Sequence, residues 1–159
     1  MSERSEVLAE IQKNVKGKTL LVGRKIGQEK FNLLTPALRV EAKPQKYPPD
    51  GNVIAWETKL LRKFATGAFG SIILHRFLYK PVKEYIEDPN IILAEVRRIL
   101  PEGGVLVVNS FLLDDTTRSF ASANSFFTET EMKSLLDTQS FMTVSRIKIL
   151  DTSVYVCHR

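Results

Sequence analysis

Residues 91–108 read I-I-L-A-E-V-R-R-I-L-P-E-G-G-V-L-V-V, and three structural signals follow one another in that stretch. Ile92, Val96, Ile99 and Leu100 recur at helical spacing and form one apolar stripe. Glu95, Arg97 and Arg98 fall largely on the other side. Pro101 stops the helix, and Gly103-Gly104 permit a tight turn. Val105 to Val108 is a β-branched, apolar run of the kind that forms a strand buried on both faces. A helix running through a short turn into a fully buried strand is the repeating unit of parallel α/β sheets.

Working outward from this unit, the carboxyl-terminal side offers a polar loop at Asp114–Asn124. A capping-box pattern, Thr128-x-x-Glu131, then stands ahead of Met132, Leu135 and Leu136, so a helix begins there. Phe141–Leu150 and Ser153–His158 alternate apolar and polar residues around Asp151-Thr152 and read as an antiparallel pair. On the amino-terminal side, Val7, Leu8, Ile11 and Val15 mark one helix face, with Ser5 as the expected N-cap. Thr19–Val22 is the first strand and ends at Gly23. Gln28–Leu34 reads as a short helix stopped before Pro36, and Ala37–Ala42 as the second strand. Lys43–Gly51 holds three prolines and a D-G pair, so it is a loop. Asn52–Trp56 is the expected third strand, Lys59–Phe64 a helical segment, and Gly70–Phe77 the fourth strand; Pro81–Ile86 is a loop or short helix.

The pattern predicts an α/β fold: a mainly parallel, seven-stranded sheet whose last strand is antiparallel, with helices on both faces. Residues 1–159 are read as one domain, with residues 1–17 forming a helix that packs on the sheet. The segment 91–108 also resembles a hallmark of the class I S-adenosylmethionine-dependent methyltransferases, in which a helix ending in E-x-x-R-x-L-x-P-G-G leads into the fifth strand. The resemblance extends from Lys18 to Arg159. It implies a Rossmann-like methyltransferase fold, S-adenosylmethionine as cofactor and methyl transfer as the activity.

The family's first strand and turn usually show an acid and then G-x-G-x-G. Here the matching segment is Leu20-Leu-Val-Gly23-Arg24-Lys25-Ile26-Gly27. Gly23 and Gly27 match the outer glycines, Lys25 replaces the middle one, and Leu21 stands where the acid belongs. Lysine adds bulk where backbone should approach a ligand, and positive charge near a sulfonium. Glu41, at the end of the second strand, takes the place of the ribose-binding acid, since a carboxylate accepts from both hydroxyls. Glu57 takes the place of the adenine-contacting acid, with Trp56 beside it. Phe64 and Phe69 match the L-P-F…S-F-D segment ahead of the fourth strand, with Gly70 where its acid belongs. His75 and Tyr79 occupy substrate-facing positions, and His75 has the chemistry of a general base. Each has a plainer reading as well: a strand-to-helix turn for the glycines, a solvated strand end for Glu41, a structural histidine for His75.

Composition bounds the remaining choices. The chain of 159 residues is 43% hydrophobic and 26% charged, an ordinary globular balance. No apolar run approaches the length of a membrane span, and the polar start Met1-Ser-Glu-Arg-Ser-Glu has no secretory pattern. The single cysteine, Cys157, leaves no internal disulfide, and the expected compartment is the cytoplasm. Two histidines and that one cysteine, far apart, give no metal-ligand spacing. A phosphate loop and a G-x-S-x-G elbow are both missing. Residues 1–80 carry 15 Lys/Arg against 7 Asp/Glu, whereas residues 81–159 carry 8 against 11. A basic amino-terminal half suits an RNA or acidic protein partner, or is simply a solvated face. Two functions therefore stand: a minimal methyltransferase with an unidentified substrate, or a scaffold or binding module that kept the fold and lost the cofactor.

Overall fold

Val7 and Ile11 sit one turn apart on the first helix, α1 (Glu3–Asn14), and both are buried. Five residues after its end, Thr19 begins a run whose next three side chains are fully buried. The computed structural model describes residues 3–23, 37–41, 61–75, 78, 89–111, 127–149 and 152–159. Within them, β1 (Thr19–Gly23), β2 (Ala37–Glu41), β3 (Ser71–His75), β4 (Val105–Phe111), β5 (Met142–Ile149) and β6 (Thr152–His158) form one sheet in the order β2-β1-β3-β4-β6-β5. The first four strands in that order run parallel. The last strand of the chain, β6, lies inside the sheet and is antiparallel to both β4 and β5. Helix α2 (Pro89–Ile99) leads into β4, and α3 (Glu129–Thr138) leads into β5.

Helices cover both faces. Alternate residues of the central strands point to opposite sides. Leu20, Val22, Ile72, Leu74, Leu106, Val108, Tyr155 and Cys157 pack with Ile92 and Val96 of α2 and Met132 and Leu136 of α3. Leu21, Ile73, Val105, Val107, Val154 and Val156 pack with Val7 and Ile11 of α1. The strand at Val105–Val108 is thus buried on both sides, as its composition requires.

The 91–108 unit forms as read. Ile92, Val96, Ile99 and Leu100 are all fully buried. Gly103 has φ +80°, a conformation that side chains with a Cβ resist, and the Gly104 N–H donates to Pro101 O at 2.9 Å. The last residue clamps this turn: the Gly103 N–H donates to Arg159 O, the Arg159 N–H donates to Gly104 O, and the Arg159 guanidinium donates to Leu100 O. Arg98 belongs to the outer face but is not merely solvated. It pairs with Glu95 at 2.7 Å and donates to Leu61 O at 3.3 Å, tying the segment before β3 to α2.

Several boundaries differ from the sequence reading. Helix α1 begins at Glu3, so Ser5 lies in its first turn instead of capping it. Helix α2 begins at Pro89, a residue suited to a first helical turn. Strand β4 runs on to Phe111, because β6 supplies backbone partners along its whole length, from Val105↔His158 to Phe111↔Thr152. The sheet has six strands among the described residues. The expected third strand at 52–56 lies outside them, as do the helix at 28–34 and the loops at 43–51, 81–86 and 114–124. The capping box is present in full: Thr128 Oγ1 accepts from the Glu131 N–H at 3.2 Å, and the Glu131 carboxylate accepts from the Thr128 N–H at 3.0 Å.

Candidate functional site

The strand order reverses between β1 and β3. The chain steps from β1 outward to β2, then returns to the other side of β1 to place β3 and β4. In open parallel sheets such a switch leaves a crevice beyond the carboxyl ends of the two flanking strands, because their connections leave in opposite directions. The residues at that edge are fixed by register. Gly23, the last residue of β1, pairs with Glu41 of β2 on one side and His75 of β3 on the other. His75 in turn pairs with Asn109 of β4. Glu41, Gly23, His75 and Asn109 therefore form one row across four parallel strands, each about 4.8 Å from the next.

The composition of this row differs from the strands behind it. One step back, the row is Val40, Val22, Leu74 and Val108, all apolar. At the edge, the residue types change together, to Glu41, Gly23, His75 and Asn109. Three of these residues were named from the sequence, and the register brings them together. Asn109 was missed, although it is the first polar residue after the run Val105–Val108. It is 1% exposed. Gly27, Glu57 and Tyr79 lie outside the described residues, as do Lys25 and Trp56.

No protein-family profile matches this sequence, and no curated protein matches it. Solved structures do match in fold. A complex between the Haloferax volcanii Trm112 methyltransferase activator and a putative methyltransferase aligns with TM-score 0.63 and 11% identity, over 98% of this chain and 90% of the other. An S-adenosylmethionine-dependent methyltransferase from Aquifex aeolicus aligns with TM-score 0.61 and 9% identity, over 97% and 88%. The Burkholderia thailandensis 1,6-didemethyltoxoflavin-N1-methyltransferase, solved with bound 1,6-didemethyltoxoflavin and S-adenosylhomocysteine, aligns with TM-score 0.58 and 15% identity, over 99% and 76%. The fold is class I methyltransferase-like.

Two positions that the sequence resemblance marks as departures from the methyltransferase motif differ in their surroundings. Gly70 stands where an acid is expected, but it precedes β3 and so lies at the amino-terminal edge, about 16 Å of strand away from His75. Its N–H donates to Lys18 O at 2.8 Å, and a Cβ there would approach Lys16 O to 3.1 Å. That oxygen also accepts from the Ser71 hydroxyl at 2.7 Å, so it is held in place. Gly70 thus answers a close backbone contact. Phe69 beside it is 2% exposed and meets Phe64 edge to face at 5.2 Å. Leu21 is a different case. It is fully buried in the core cluster that contains Val7 and Ile11 of α1, where it serves apolar packing.

Proposed function

We propose that the chain binds S-adenosylmethionine at the carboxyl edge of β1–β3 and transfers its methyl group to an acceptor substrate. The observation that carries this reading is the row Glu41–Gly23–His75–Asn109 at the strand-order switch. The chemistry of the row fits the cofactor. Glycine at the end of β1 leaves backbone open to a ligand, and a carboxylate one strand away suits a ribose diol, which needs two acceptors. When bound, S-adenosylmethionine supplies an electrophilic methyl group. Glu41 holds the ribose hydroxyls, Gly23 and Gly27 admit the methionine part, and Glu57 takes the adenine. On this reading His75 accepts a proton from the methyl acceptor and Asn109 orients it. Rate then comes mainly from alignment, which reduces the entropy cost of bringing two reactants together.

Calorimetry with S-adenosylhomocysteine tests the reading. Saturable binding near micromolar, about −8 kcal/mol, is expected. Glu41→Ala is expected to weaken it by about 1–3 kcal/mol, through polar groups left without partners. Absence of heat and of any thermal shift at millimolar ligand overturns it.

A second reading draws on Leu21 and on the motif's Lys25. A position normally acidic is committed to the core, and a lysine stands where the ligand needs a bare backbone. On this reading the chain is a methyltransferase-fold scaffold without cofactor, and its basic amino-terminal half engages RNA or an acidic protein. Lys25→Gly separates the two. Weak binding of S-adenosylhomocysteine gained only in that variant favours the scaffold, whereas binding already present in the natural sequence favours the enzyme.

A further inference from the structure

Tyr155 of β6 is 1% exposed, and although the Arg146 guanidinium lies near enough to interact with its oxygen, its hydroxyl proton has no acceptor. It lies at the opposite side of the sheet from β2, on the face covered by α2 and α3. Above it is a recess of about 300 Å³ between the first turns of α3 and the edge strand β5, lined by Glu129, Lys133, Thr143, Ser145 and Arg146 as well as Tyr155. The recess opens where β5 is irregular: Thr143 and Ser145 pair with the consecutive residues Cys157 and Val156, so one extra residue bulges between them.

The electrostatics of the recess are one-sided. Arg146 pairs with Glu129. Lys133, one turn after Glu129 on α3, has no ion-pair partner among the described residues. Two cations and one acid leave a positive balance. Burial pushes the Tyr155 hydroxyl up to about 12, against the lowering effect of nearby Arg146, so the phenol keeps its proton and remains a donor. Arg146 cannot satisfy that donor, because a guanidinium carries no acceptor. A buried hydroxyl proton without an acceptor is costly and rarely left so. The Glu129 carboxylate that lines the recess is engaged by Arg146, so the Tyr155 proton is left without an acceptor.

We infer that this recess binds a small oxyanion, a carboxylate or phosphate group, which accepts from the Tyr155 hydroxyl and is neutralised by Lys133 and Arg146. The site lies three strands from β1 and is independent of the row at the carboxyl edge.

Thermal unfolding in inorganic phosphate, in acetate and in chloride at matched ionic strength tests the inference on the full chain, Tyr155→Phe and Lys133→Met. The natural sequence is expected to gain a saturable rise in melting temperature in phosphate or acetate over chloride, and which anion acts assigns phosphate or carboxylate. Each variant is expected to need about tenfold or more anion for the same rise, the consequence of losing one charge-assisted bond. In chloride alone Tyr155→Phe is expected to melt no lower than the natural sequence, since it removes a hydroxyl that lacks an acceptor. Equal melting in all three anions, an undiminished anion effect in both variants, or a clear destabilisation of Tyr155→Phe in chloride overturns the inference. Lys133 is exposed, so the lysine variant reports even where the tyrosine variant folds poorly.

Discussion

Cys157 shows how a single side chain links burial to pH. It is fully buried on β6, its sulfur 3.8 Å from Thr143 Oγ1, and burial pushes its thiol from 9.0 up to about 12. Tyr155, two residues earlier, is pushed from 10.0 up to about 12, again chiefly by burial. In the unfolded chain both groups release protons first, so alkaline conditions favour unfolding. The stability these groups contribute is complete below about pH 9 and is lost between about pH 9 and about pH 12, at up to about 1.4 kcal/mol per pH unit for each group. Urea midpoints measured from about pH 8 to about pH 11 are expected to fall less steeply in Cys157→Ala than in the natural sequence, because one of the two linked protons is gone. Equal slopes would remove burial of the thiol as the cause.

At the scale of elements, α3 has the best-defined start among the described helices. Thr128 and Glu131 satisfy each other's backbone N–H groups, and the acids Glu129 and Glu131 stand in the first turn, where the helix dipole favours them. Helix α3 is also anchored at its far end, where Gln139 Nε2 donates to Asn90 Oδ1 of α2 at 3.0 Å. Thr128→Ala is expected to cost about 1 kcal/mol, seen as a lower urea midpoint with an unchanged slope. Thr128→Ser, which keeps the accepting oxygen, is expected to retain most of that stability. A loss as large in the serine variant would point to packing of the buried threonine methyl instead of the cap.

At the scale of the whole molecule, the chain closes on itself through its last element. Strand β6 lies between β4 and β5, and its residues Val154, Val156, Tyr155 and Cys157 contribute to both core clusters. Helix α1, the first element described, packs mainly on β6, β4 and β5, the last three strands to be made. The two ends of the sequence thus complete one face together. Removing residues 152–159 is expected to abolish the cooperative urea transition altogether, since β5 loses its neighbour in the sheet and α1 loses part of its surface. A truncated chain that still unfolds in one sharp transition would show that β1–β4 form a self-sufficient unit.

Local chemistry decided the elements. Apolar spacing at Ile92, Val96 and Ile99, the stop at Pro101, the double glycine and the Thr128–Glu131 box each act within a few residues, so they are legible in one dimension. The buried run Val105–Val108 likewise announced a central strand, and the resemblance it opened led to the methyltransferase-like fold. Tertiary structure decided what those signals could not carry. Which residues meet across the sheet depends on register between distant strands, so the row of Glu41, Gly23, His75 and Asn109 exists only once β1, β2, β3 and β4 are aligned. Gly70 stands where the resemblance puts an acid, and only the fold shows that Lys16 O lies 3.1 Å from where its Cβ would be. Tyr155 and Cys157 looked like residues of an ordinary alternating strand. Their burial comes from helices far away in sequence, and burial is a property of the neighbours, not of the residue.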